Sequence, residues 1–97
     1  MDRTSDLKAH LEQKIKTAFS PLYLSIVDET GKHAGHSGAI AGKGHFIVHV
    51  VSQTFEGVLL LDRNRMIFDL LKEEMATSIH ALSLRAETPM EWDRTTE

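Results

Sequence analysis

The sequence predicts a single α+β domain in two layers, ordered helix, strand, strand, helix, strand, short helix, with a three-stranded sheet. Three observations point to it. A length of 97 residues supports one modest core and not two. Apolar residues recur at helical spacing in two stretches and alternate with other residues in three more. A content of 41% hydrophobic and 26% charged residues is that of an ordinary globular domain, which argues against wholesale disorder.

From Thr4 or Ser5 onward, Leu7, Leu11, Ile15, Ala18 and Phe19 recur every three or four residues, with Lys8, Glu12 and Lys16 on the other side. This spacing predicts an amphipathic helix, and it should stop by Ser20 because Pro21 disfavours the α region at its predecessor. "LYLSIVDE" at 22–29 then alternates, setting Leu22, Leu24 and Ile26 against Tyr23, Ser25 and Val27, as a half-buried strand does. "HFIVHVV" at 45–51 alternates again, with Phe46, Val48 and Val50 on one face and His45, Ile47, His49 and Val51 on the other. The two strands are expected to pair. Asp62 is expected to cap a second helix, whose stripe of Met66, Ile67, Leu70, Leu71 and Met75 should run to Thr77 or Ser78.

"HALSLRAE" at 80–87 reads as the third strand, with Leu82, Leu84 and Ala86 on one face and His80 at its entrance. In "TPMEW" at 88–92, Thr88 suits an N-cap, Pro89 the first helical position and Glu91 the acid of a capping box. One helical turn should therefore carry Trp92 onto the fold. Residues 1–97 form one domain, its core spanning about 4–93, and residues 94–97 are expected to fray.

Between the first two strands, "GKHAGHSGAIAGKGHF" at 31–46 carries five of the six glycines and three of the six histidines. A connection of about 14 residues is long for a hairpin, and loops of that length tend to be functional or disordered. The chain has no cysteine, so it has no thiolate nucleophile, and metal chemistry must use histidine, carboxylate or a partner's sulfur. The longest apolar run, "VLLL" at 58–61, is far too short to span a bilayer, and no signal-peptide segment opens the chain. The expectation is a soluble, cytoplasmic protein with no membrane association. The formal charge is −3, and protonating all six histidines would carry it to +3. Basic residues are spread along the chain, unlike those of a strong nucleic-acid binder, and nothing matches the common catalytic motifs, so no enzyme is expected.

Individual histidines admit plain roles. His80 could be a polar cap at a helix-to-strand junction, His33 and His36 solvated loop residues or a weak zinc pair, and His45 and His49 residues at an edge of the sheet. His10 is expected to face solvent. Arg63 and Arg65 could bind a phosphate or a partner's carboxylate, or cover apolar surface with their stems.

Taken together, "SIVDETGKHAGH", "HFIVHVVSQTFEG", "DRNRMIFDLLKEEM" and "IHALSLRAETPMEW" resemble the BolA family from Leu22 to Trp92. The most specific pieces are Phe55, Gly57, Arg63 and Arg65 and the "HALS" that opens the third strand. Where the family usually has Arg-His-Arg, this chain reads Arg63-Asn64-Arg65. The resemblance implies a fold similar to class II KH domains and a heterodimer with a monothiol glutaredoxin, sharing a [2Fe-2S] cluster held also by glutathione. Alone, the chain would be a monomer without cofactor. It further implies that His80 and a loop histidine ligate the cluster, the latter being His33, with His36 as its substitute and His45 in reserve. The implied function is iron-sulfur cluster assembly, trafficking or iron regulation. The alternative is a DNA-binding transcriptional regulator using a helix-turn-helix-like face, and Arg63, Asn64 and Arg65 are the expected partner or nucleic-acid surface. The Gly-x-x-Gly clamp usual in KH domains is absent.

Overall fold

The first helix, α1 (Arg3–Phe19), stops where Pro21 requires it to. Ser20 turns into the left-handed region at φ 44°, its N–H bonded to the Lys16 carbonyl at 3.0 Å, and the chain enters the sheet. The computed structural model describes residues 3–29 and 44–95. Within them follow β1 (Tyr23–Asp28), β2 (Gly44–Val51), a 3-10 turn at Gln53–Phe55, α2 (Leu60–Leu70), α3 (Lys72–Thr77), β3 (Ile79–Glu87) and α4 (Pro89–Thr95). The α+β class with its three-stranded sheet is as the sequence predicts.

The sheet order is β1-β2-β3, with β1 antiparallel and β3 parallel to the central β2. One face of β2 is the heart of the core. Phe46, Val48 and Val50 are completely buried, together with Leu11 and Ile15 of α1, Phe55 of the turn, and Ile67 and Leu71 from the α2–α3 segment. Ser52 ties three elements at one corner. Its Oγ donates to the Phe19 carbonyl at 2.6 Å and accepts from the Thr54 N–H at 3.1 Å, and its own N–H reaches the Glu87 carbonyl at 3.0 Å. Gly57, at φ +76°, then makes a turn that a side chain would strain.

Several expectations are corrected. The second helix is broken at Leu71 (φ −103°, ψ 17°), so its predicted single stripe is shared between α2 and α3. The cap of α2 is Leu59, without a side-chain hydrogen bond, and Asp62 lies inside the first turn, accepting from Arg65 at 3.5 Å. Leu22 precedes β1 and is largely exposed. The final helix runs through Thr95, past the predicted start of the frayed tail, because Thr88 and Glu91 form the expected capping box. The Thr88 N–H donates to Glu91 Oε1 at 2.8 Å and the Glu91 N–H to Thr88 Oγ1 at 3.2 Å. Trp92 is thereby stacked on Tyr23, ring centroids 5.0 Å apart.

Candidate functional site

The strand directions gather three chain segments at one end of the sheet. Because β1 runs against β2 and β3 runs with it, the end of β1 and the starts of β2 and β3 are neighbours. Two backbone bonds close this end: the Glu29 N–H donates to the His45 carbonyl at 2.8 Å, and the Gly44 N–H to the Ser78 carbonyl at 2.9 Å. Glu29 and Gly44, which flank the glycine-rich segment 30–43, are thus fixed at the same end of the sheet as His80, Gly44 on the strand next to it. His33 and His36 themselves lie outside the described residues.

His80 occupies an irregularity in β3. Gly44 pairs with Ile79 and His45 with Ala81, so one step along β2 corresponds to two along β3, and His80 is the extra residue of a β-bulge. The bulge changes the parity of the strand. Ile79 and Leu82, three positions apart, both contribute to the core side, while His80 is exposed. Bulges re-aim side chains in this way, and sequence alternation alone does not reveal the extra residue. The close approach here also explains Gly44, since a Cβ on it would run into the Phe46 ring, with Cζ at 2.9 Å. His45 is half-buried on the face opposite Phe46.

Among the described residues no group of three or more His, Cys, Asp or Glu is gathered to hold an ion. An exposed imidazole on a bulge, in a chain without cysteine, fits the donation of a nitrogen to a cluster whose sulfur ligands come from elsewhere.

The other predicted site residues are placed differently. Arg63 was expected on a partner surface, but it is only 8% exposed and spends its donors inside the fold. Its Nε donates to the Val58 carbonyl at 2.8 Å, Nη1 to the Ala86 carbonyl at 3.1 Å and to Glu91 Oε1 at 2.6 Å, and Nη2 to Glu91 Oε2 at 3.3 Å. With Arg63 beside it and the Thr88 N–H bonded to it, the Glu91 carboxyl is held down at about 2. Arg65 is exposed, while Asn64 is half-buried with its Oδ1 shielded and without a hydrogen-bond partner.

Two further histidines are engaged in ways their sequence positions do not disclose. His49 lies on the central strand, not an edge, and its Nε2 is 2.6 Å from Glu87 Oε1, with which Arg85 Nε also forms an ion pair at 3.3 Å. His10, predicted to face solvent, is half-exposed and reaches Glu74 Oε2 at 2.5 Å. Lys14 Nζ donates to both oxygens of that carboxylate, at 3.1 and 2.9 Å. Burial pushes the Glu74 carboxyl up, and the hydrogen bonds from Lys14 and His10 outweigh it, leaving it below its usual value. Such pairs depend on the tertiary fold, so no local motif announces them.

A family model described as BolA-like protein matches residues 15–91. The chain belongs to the BolA family. It is 39% identical over 87 residues to the DNA-binding transcriptional regulator BolA of Escherichia coli (strain K12), covering 90% of this chain and 80% of that protein. To BolA-like protein 1 of Mus musculus it is 40% identical over 86 residues, which is 89% of this chain but only 61% of the mouse protein. The solved BolA domain of SufE1 from Arabidopsis thaliana superposes with a TM-score of 0.74 at 37% identity, covering 86% of this chain and 92% of that one. The BolA fold thus brings His80, the start of β2 and both residues flanking the glycine-rich segment to one end of the sheet.

Proposed function

We propose that this BolA-family chain is an adaptor that binds a monothiol glutaredoxin and completes a shared [2Fe-2S] cluster, for iron-sulfur cluster assembly, trafficking or iron regulation. The observation that carries the proposal is the exposed His80 on its bulge, at the same end of the sheet as the residues that flank the histidine-bearing segment. His80 and one loop imidazole, His33 or its substitutes His36 and His45, would donate neutral nitrogens. The glutaredoxin and its glutathione would supply the sulfur that a cysteine-free chain lacks. When bound, the cluster supplies a transferable iron-sulfur unit, and two nitrogen ligands on one iron would raise its potential above that of an all-thiolate cluster.

This chain's own part is positioning. The β2–β3 ladder holds the start of β3 against the sheet, and backbone bonds fix Glu29 and Gly44, the residues that flank segment 30–43. Anaerobic cluster reconstitution with a monothiol glutaredoxin tests the proposal. A heterocomplex with visible absorption and circular dichroism unlike those of the glutaredoxin alone is expected, and failure to form one would refute it.

The second reading, a DNA-binding transcriptional regulator, is favoured by the name of the Escherichia coli relative. The inward use of Arg63 removes one of its two expected phosphate contacts. Salt-sensitive DNA binding at low micromolar protein would restore it, and none at low salt would dismiss it.

A further inference from the structure

At the other end of β3 the surface changes character. At the start of α2, Leu59, Leu60 and Leu61 are consecutive and 75%, 61% and 60% exposed, a run that a solvated helix end has no use for. Leu59 and Leu60 border a groove of about 650 Å³ that Leu84 and Ala86 of β3 also line. The β3 lining is a sheet edge, because β3 is the outermost strand. Glu87 turns its carbonyl inward to the Ser52 N–H, so alternation turns the main-chain groups of Ala86 and Leu84 outward, toward the groove. The Ala86 carbonyl is already taken by Arg63. Leu84 remains as the outward step of the edge.

We propose that this groove binds an extended peptide segment of a partner protein by adding it as a fourth strand against β3. The segment would carry an apolar side chain between Leu60 and Leu84, followed by acidic residues. Charge selects that occupant. The carboxylates lining the groove are engaged within the fold, Glu91 by Arg63 and Glu87 by His49 and Arg85. Arg85 is half-exposed, and exposed Arg94 rests its guanidinium on the Met90 sulfur at 3.9 Å, so both offer donors at the rim. Strand addition supplies affinity through main-chain hydrogen bonds and specificity through alternate side-chain pockets, which is what an open edge flanked by leucines offers. A single-stranded nucleic acid is a poorer match. The lining has no aromatic residue for stacking, and two carboxylates sit within it.

The inference is independent of the cluster proposal, since the groove and His80 occupy opposite ends of β3. The test is an amide-shift titration of the full chain with the capped hexapeptide Thr-Val-Thr-Leu-Asp-Asp. Saturable shifts centred on Leu84, Ala86 and Leu60 are expected. Binding should weaken at least about tenfold when alternate peptide amides are N-methylated, when lysines replace the aspartates, or in the Leu60→Asp and Arg94→Glu variants. Both substitutions fall on exposed positions, and unchanged amide dispersion would show that the variants remain folded. No shifts at millimolar peptide, equal binding of the lysine peptide, or shifts confined elsewhere would overturn the proposal. A concentration-dependent dimer abolished by Leu60→Asp would assign the groove to a second copy instead. Salt-sensitive displacement of the peptide by single-stranded DNA would assign it to nucleic acid.

Discussion

The Arg63 guanidinium and the Glu91 carboxylate meet through two hydrogen bonds, Nη1 to Oε1 at 2.6 Å and Nη2 to Oε2 at 3.3 Å, and this pair clamps α4 to α2. The same guanidinium holds the carbonyls of Val58 and Ala86, so it joins the turn before α2, the end of β3 and the final helix. Arg63→Ala would leave two carbonyls short of their donors and should cost about 2–3 kcal/mol, read from urea unfolding. Arg63→Lys should recover only part of this, because an ammonium cannot reproduce the planar fork. An Arg63→Ala protein as stable as the parent would contradict the structural role.

Acid should loosen the same clamp. The folded chain holds Glu91 ionised down to about 2, whereas the unfolded chain takes up the proton near the ordinary 4.5. The stabilisation is therefore complete above about pH 4.5 and is lost as pH falls toward 2. Glu74, also held below its ordinary value, acts in the same direction at the contact of α1 with α3. Trp92 is the one tryptophan of the chain, so its fluorescence on the Tyr23 stack should follow the loss of α4. Glu91→Gln should flatten that acid transition.

Gly44→Ala should destabilise the fold by about 1–3 kcal/mol, because the new methyl meets the completely buried Phe46 ring. The strain would fall on the first step of β2, next to the bulge that exposes His80. Amide hydrogen exchange should rise at Gly44, His45 and Ile79 more than at the far end of β3. Uniform exchange along β3 would contradict the local account.

Most elements of the fold are legible because their signals are local. The spacing of Leu11, Ile15 and Phe19, the stop at Pro21 and the Thr88–Glu91 box each act within a few residues. The parallel pairing of β3, the break at Leu71 and the bulge at His80 depend on contacts across the chain, and alternation cannot reveal them. The site divides in the same way. His80 is marked by its position before "ALSL", but that it is exposed follows from the register with Gly44 and His45. Arg63 misleads in the other direction. An arginine two residues from a second one looks like a partner or nucleic-acid surface, and only the packing of α4 against β3 gives its guanidinium buried partners.

The most direct measurement compares anaerobically reconstituted mixtures of a monothiol glutaredoxin with this chain and with its His80→Ala variant, by visible absorption and circular dichroism. The substitution falls on an exposed position, so an unchanged far-ultraviolet spectrum can verify that the fold is intact. A heterocomplex spectrum with the parent chain, lost or shifted in the variant, is the predicted result. The same spectrum from both proteins would contradict the role given to His80, and with it the central claim.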